Sequence, residues 1–280
     1  EELCNYIQCL VYYASCSSQT TIIDYLIQET GKFEVGRGLD CKANKRCVRI
    51  ANELYWEIYI GLQNKSVFLV QKYQDMMEAF KTRVHIPFQT VINSSHEFVD
   101  QIKKKYDSND TLERIKSFGM IGKATSPLHP EKGELIIDAS QIEIKKSLTR
   151  PVVIPMNDGK RKTIIMYKNG DDIRKDQIIM SIIKLMDIII KKELHMDLGI
   201  ITYRVRPTSP TGGFIEIVQD CCTLYKIQQS GMTLLNYILH QNPSCTQKEI
   251  RDRFIKSCAG YCVITFLLGV GDRHLDNIMV

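Results

Sequence analysis

The period of the apolar residues changes near Glu134, and that change limits what this 280-residue chain can fold into. Upstream, Leu3, Ile7, Leu10, Val11 and Ala14 recur at helical spacing, as do Ile22, Ile23, Leu26 and Ile27. The same holds for Val48, Ala51, Leu54, Tyr55, Ile58 and Leu62, and for Val70, Tyr73, Met76, Met77 and Phe80. Asn64-Lys65-Ser66 and Gly36-Arg37-Gly38 break the pattern, so residues 1 to about 115 are predicted to be successive amphipathic helices. Downstream, Leu135-Ile136-Ile137, Ile142-Glu143-Ile144 and Val152-Val153-Ile154 are short runs between turns, the mark of strands. Asn157-Asp158-Gly159 predicts a hairpin, because Asn and Gly accept positive φ cheaply, and Thr163–Tyr167 is the returning strand. An all-α part followed by a mixed part makes the chain α+β.

Composition narrows the class. Hydrophobic content of 44% and charged content of 25% are ordinary for a globular protein, and a net charge of +5 suits an anionic ligand or surface without requiring one. No stretch approaches eighteen uninterrupted apolar residues, and Glu1-Glu2-Leu3-Cys4 lacks the basic start of a secretory signal. Ten cysteines occur with no Cys-x-x-Cys pair, the usage of a reduced cytosolic protein. Cys258 and Cys262, one helical turn apart, are expected to pack rather than react. Trp56 and Tyr55 are expected in the core. Lys103-Lys104-Lys105-Tyr106-Asp107-Ser108-Asn109-Asp110 is polar and turn-rich, the best candidate for a linker.

Two stretches carry chemistry. The first is Lys168-Asn169-Gly170-Asp171-Asp172-Ile173-Arg174-Lys175-Asp176-Gln177. Asn169-Gly170 turns the chain, and Asp171 or Asp172 can cap the helix that follows. That helix shows two apolar ridges, Ile178-Ile182-Leu185-Ile189 and Ile179-Ile183-Met186-Ile190, and is predicted to be wrapped by core on a wide face. Lys168 at a strand end and Asp176 in the helix's second turn can meet, and a lysine held by a carboxylate is how kinases fix nucleotide phosphates.

The second stretch is Lys256–Val280. An apolar, small-residue run predicts a helix buried on most sides, which Gly269 and Gly271 stop. Asp272, Arg273, His274, Asp276 and Asn277 then crowd six positions, and Ile278-Met279-Val280 reads as a strand. Any one of these polar residues alone fits a helix cap or a turn. Together they supply a group to deprotonate a hydroxyl and oxygen ligands for Mg²⁺, which phosphoryl transfer needs.

Asp272-Arg273-His274 followed by Asn277 resembles the catalytic loop of the phosphatidylinositol 3- and 4-kinase superfamily, which runs Asp-Arg-His where protein kinases run His-Arg-Asp. Ser257–Cys262 is close to the 3-kinase version, and His274-Leu275-Asp276-Asn277 looks like the class III enzymes, which make phosphatidylinositol 3-phosphate. The Lys168–Asp176 run resembles the Lys-x-Gly-Asp-Asp-Leu-Arg-Gln-Asp signature of the same family, with Ile173 and Lys175 as departures. The resemblance implies a two-lobed, protein-kinase-like lipid kinase fold, its C-lobe incomplete, in residues 116–280, behind the end of a helical domain in residues 1–115. It implies ATP and Mg²⁺ (or Mn²⁺) as cofactors. Lys168 would hold the phosphates with Asp176 as its partner, and Ser147 would lie in the loop over them. From the residues alone, Lys145–Pro151 fits a basic hairpin tip equally well. Tyr203 would back the nucleotide pocket, the backbone of Glu216, Ile217 and Val218 would bond adenine, and Asn277 would ligate the metal. His274 or Asp272 would be the base toward the inositol 3-hydroxyl, with Arg273 bracing the loop. Ile200–Val205 and Gly213–Val218 are the expected flanking strands. Partners by resemblance are membrane phosphatidylinositol, a kinase-like regulatory subunit and other subunits of endosomal and autophagic complexes; nucleic acid is not among them.

No Asp-Phe-Gly occurs in these residues, so the family's principal Mg²⁺ ligand and its activation loop are missing, and the 280 residues are expected to be an inactive fragment of an active enzyme. A 4-kinase or a protein kinase of the superfamily is the first alternative. A non-catalytic scaffold is the second, to be preferred if the reading frame stops at Val280.

Overall fold

The computed structural model describes Cys4 and residues 6–17, 21–32, 41–84, 86–106 and 117–280. Two compact units form: residues 1–181 with 204–217, and residues 182–203 with 218–280.

The first unit opens with five helices, α1 (Ile7–Cys16), α2 (Thr21–Thr30), α3 (Lys42–Gly61), α4 (Val67–Arg83) and α5 (Ile86–Tyr106). Most of their predicted apolar positions are buried, including Ile7, Val11, Leu26, Val48, Leu54, Ile58, Tyr73 and Phe80, while Leu10, Ile22, Tyr55 and Leu62 are partly buried against them and Leu3 lies outside the described residues. The proposed break Gly36-Arg37-Gly38 lies outside the described residues. The linker candidate is only partly so. Lys103–Tyr106 is the last turn of α5, where cations suit the helix dipole, while 107–110 lie outside the described residues. Lys103 donates to the Thr208 carbonyl at 3.3 Å, a contact a free linker would not make.

Strands β1 (Lys123–Thr125), β2 (Glu134–Ile137), β3 (Glu143–Ile144), β4 (Val152–Asn157), β5 (Lys162–Asn169), β6 (Val205–Ser209) and β7 (Gly212–Glu216) form one antiparallel sheet. The order is β1-β2-β4-β5-β7-β6, with β3 beside β4. The β4–β5 hairpin turns where predicted: Gly159 takes φ +83°, and Asn157 Oδ1 accepts its N–H at 3.2 Å. Trp56 of α3, with Phe98, Val99 and Ile102 of α5, packs with Leu135, Ile154, Ile165, Tyr167 and Phe214 of the sheet in one core. α3 and α5 thus share this core with the sheet, while α1, α2 and α4 pack with α3 in a second cluster, and Trp56 is core, as expected.

One strand starts later than the alternation suggested. Ile200–Tyr203 joins no strand, the Arg204 carbonyl accepts from the Glu216 N–H at 2.8 Å, and β6 begins at Val205 and runs through Pro207. Proline has no N–H to donate, and β6 lies at the sheet's edge, where a sheet tolerates it; a register shift falls between Pro207 and Ser209.

Helix α6 (Arg174–Glu193) begins in the first unit. The second holds α7 (Leu224–Gln229), α8 (Leu234–Gln241) and α9 (Gln247–Leu267). Thr246 and Glu249 form a reciprocal capping box at the start of α9. At its end Gly269 takes φ +60°, the left-handed conformation that stops a helix. Two burial expectations fail. On α6, Ile178, Ile179, Ile182 and Ile189 are exposed, and on α9 so are Ile255, Val263, Phe266 and Leu267. Cys258 and Cys262 are exposed too. An apolar stripe reports surface that can be covered; among the described residues, little covers these. One contact is at Gly260, where an added Cβ would meet Ile200 Cδ1 at 2.6 Å, and with Tyr261 hydrogen-bonded to Ile201 the segment Leu198–Ile201 lies directly on α9. Residues Ile278–Val280 make a single antiparallel bridge to Cys222–Leu224 rather than a full strand.

Candidate functional site

Lys168 sits on β5 opposite Gly213 of β7, its side chain a quarter exposed. An added Cβ on Gly213 would meet the Arg206 carbonyl at 2.3 Å, so β7 requires glycine there to lie this close to β6. The Lys168 ammonium donates to Asp171 Oδ2 at 3.0 Å. Asp171, not the predicted Asp176, is its hydrogen-bond partner. The Asn169-Gly170 turn, with Gly170 at φ +81°, folds Asp171 back over the strand end, while Asp176, expected in the second turn, lies in the first turn of the helix that starts at Arg174. Asp176 remains within electrostatic range: burial raises its carboxyl pKa and Lys168 opposes the rise. Asp172 takes the capping role, accepting from the Arg174 N–H at 3.2 Å and pairing with that guanidinium at 2.7 Å. The Arg174 contact pulls the Asp172 pKa down.

The predicted adenine-binding backbone follows β7. Ile217 N–H donates to the Ile164 carbonyl at 2.9 Å, and Glu216 is fixed by more than its backbone. Its Oε2 accepts from the Arg204 N–H at 3.0 Å, and its Oε1 lies 3.0 Å from Nε2 of the buried His129. On the other side of that ring, Glu131 Oε1 is 3.7 Å from Nδ1 and accepts from Arg204 Nη1 at 2.7 Å. Burial alone would raise both carboxyls; His129 and Arg204 outweigh it and hold each at about 2. Sequence reasoning missed His129 and Glu131, which lie far from Glu216 along the chain, and Arg204, 12 residues before it. Ser147 is exposed in the β3–β4 loop, where Arg150 takes φ +41° and donates its N–H to the Ser147 carbonyl at 3.0 Å. In the second unit, Tyr203 is half-buried and Val218 accepts from Cys221 Sγ at 3.1 Å.

The Asp272–Asn277 loop is organised by its last residue. Asn277 Oδ1 accepts from the His274 N–H and Asn277 Nδ2 donates to the Asp272 carbonyl, each at 2.9 Å. Asp272 itself takes φ +53°, which the loop enforces. Arg273 Nε donates to the Gly271 carbonyl at 2.8 Å. His274 Nδ1 accepts from the Asp276 N–H at 3.2 Å, which leaves the ring proton on Nε2. The Tyr225 N–H donates to the Leu275 carbonyl at 3.0 Å and ties the loop to α7. Asp272, Arg273 and His274 are exposed. Among the described residues no three His, Cys, Asp or Glu side chains gather as a metal cage. A metal held chiefly by nucleotide phosphates needs only one or two protein ligands, and the free lone pair of Asn277 Oδ1 fits that use.

Comparison with known proteins covers the stretch that holds Lys168 and the Asp272–Asn277 loop. Residues 162–280 match the family model described as phosphatidylinositol 3- and 4-kinase. Over 82% of its length the chain is 29% identical to a fission yeast (Schizosaccharomyces pombe) protein named phosphatidylinositol 3-kinase pik3. Over 94% it is 30% identical to the Candida glabrata protein named phosphatidylinositol 3-kinase VPS34, and over 41% it is 45% identical to the Saccharomyces cerevisiae protein of that name. The aligned region covers 32%, 31% and 14% of those relatives, so the chain spans at most about a third of their length.

Proposed function

We propose that this chain, a class III phosphatidylinositol 3-kinase-like catalytic fragment with a phosphatidylinositol 3- and 4-kinase domain in residues 162–280, belongs to an enzyme that phosphorylates phosphatidylinositol on its 3-hydroxyl. The observation that carries the reading is the loop in which Asn277 ties Asp272 to His274 and leaves their side chains exposed. ATP would supply the γ-phosphate and a divalent ion would neutralise its charge. Lys168, kept company by Asp171 and Asp176, suits the phosphates, and Asn277 suits the ion. By resemblance the backbone of Glu216, Ile217 and Val218 would bond the adenine edge, and Tyr203 and Ser147 would serve the same nucleotide. The hydrogen bond into His274 Nδ1 favours Asp272 as the base, because a neutral ring in that tautomer presents a donor. His274 Nε2–H would then stabilise negative charge, and Arg273 would brace the loop.

In this reading residues 1–115 close a helical domain and 116–280 begin the kinase domain. Phosphatidylinositol in endosomal or autophagic membranes is the substrate, and a kinase-like regulatory subunit is the partner. No helix among the described residues is long and apolar enough to cross a membrane, which suits peripheral attachment. The test uses the full-length chain with labelled ATP and vesicles of phosphatidylinositol, of phosphatidylinositol 4-phosphate, or of neither with a protein substrate. Phosphatidylinositol 3-phosphate as the dominant product supports the proposal. Phosphatidylinositol 4-phosphate, labelled protein or no product overturns it.

A further inference from the structure

Glu53 and Glu57 lie four residues apart and so share one face of α3. Against that face lies Arg206 of β6, only 3% exposed, with Nη1 3.2 Å from Glu57 Oε1 and Nη2 against Glu53 Oε2. The same Glu57 oxygen accepts from Gln177 Nε2 at 2.6 Å. Gln177 is buried in α6, one residue beyond Asp176. One carboxylate oxygen therefore joins three elements: α3, the edge strand of the sheet that carries Lys168, and the helix that carries Asp176. Two polar atoms of this cluster, Arg206 Nε and Gln177 Oε1, are buried with no partner among the described residues. A buried ionic cluster left incompletely satisfied is a poor device for stability alone, since apolar side chains of like volume would serve as well or better. What it can supply is a fixed position.

We infer that Glu57 is a positioning residue for nucleotide binding, acting through Gln177 on the first turns of α6 and so on the setting of Asp176 against Lys168. The inference rests on the reading of Lys168 as a phosphate-binding residue. Loss of the Glu57–Gln177 bond lets the start of α6 shift relative to β5 and weakens the hold on ATP. The Asp272–Asn277 loop takes no part in the cluster, so the chemical step is left alone.

The test compares Glu57→Ala, Glu57→Gln and Gln177→Ala in the full-length chain, by lipid-kinase kinetics and by titration with ATP and Mg²⁺ alone. Glu57→Ala and Gln177→Ala are expected to raise the KM for ATP about fivefold or more with kcat within about twofold. Glu57→Gln, whose amide oxygen still accepts from Gln177, is expected to stay within about twofold of the parent in both. A lowered Tm with unchanged KM for ATP overturns the inference, as does a Glu57→Gln variant as impaired as Glu57→Ala. Should Glu57→Ala fail to fold, Gln177→Ala, which removes no charge, decides the matter on the same readouts. A parent chain that phosphorylates no lipid, yet binds ATP less tightly as Gln177→Ala, overturns the proposed reaction and supports this inference.

Discussion

Lys168 is held by Asp171, three residues further along the chain, at 3.0 Å between Nζ and Oδ2. Both side chains are partly exposed, so the pair contributes no more than about 1 kcal/mol to folding. On the proposed function, Lys168→Met in the full-length chain is therefore expected to lower kcat/KM by about a hundredfold or more while its urea midpoint stays close to the parent's. A comparable loss in both assays would mean that Lys168 serves the fold instead.

Asn277 makes two loop hydrogen bonds, one as acceptor and one as donor. Asn277→Ala removes both, and Asn277→Asp keeps only the acceptor. Each exposed bond is worth about 0.5–1.5 kcal/mol, so Tm should fall by a few degrees at most in either variant. Activity should fall about a hundredfold or more in Asn277→Ala, with Asn277→Asp between it and the parent, as steady-state kinetics will report.

His129 lies between Glu131 and Glu216, whose carboxyls are held at about 2 against an ordinary 4.5. A depressed carboxyl pKa contributes stability that is present above 4.5 and lost as pH falls from there toward 2. Denaturant midpoints recorded from pH 7 to pH 3 should thus be flat to about pH 5 and then decline. In His129→Gln the midpoint should be lower at neutral pH and the acid decline shallower. An equally steep decline would assign the effect to other carboxylates.

Trp56 is fully buried and packs with both α5 and the sheet, while its Nε1–H has no partner among the described residues. Trp56→Ala should cost about 3–5 kcal/mol, whereas Trp56→Phe, which breaks no hydrogen bond, should cost much less. Equilibrium unfolding measures both, and near-equal losses would reveal a hidden partner for the indole.

Legibility in the sequence followed the range of the interactions. The helices of the first unit and the Asn157-Asp158-Gly159 hairpin depend on local period and turn chemistry, and both stood where expected. Ile200–Arg204 has the alternation of a strand but is held by the Tyr261 hydroxyl, which donates to the Ile201 carbonyl at 3.1 Å and accepts its N–H at 3.0 Å. That anchor is sixty residues away and leaves no local trace. The partner of Lys168 turned on a backbone fold at Gly170 that residue spacing alone does not decide. Glu57 and Arg206 are 149 positions apart, and the only hint of their meeting was a pair of glutamates beside the apolar stripe of α3.

Arg206 and Pro207 adjoin on β6, the last strand of the sheet. The arginine turns its charge inward, the proline has no N–H to offer, and the register shift beside them bends the strand out of true. Each is a known deterrent to strand addition by a second molecule, and here all three fall within five residues. At the opposite edge β1 is only three residues long, too short to template a neighbour. The sheet is thus closed to its own copies at both margins, so a concentrated solution of the folded protein should stay free of β-type aggregates.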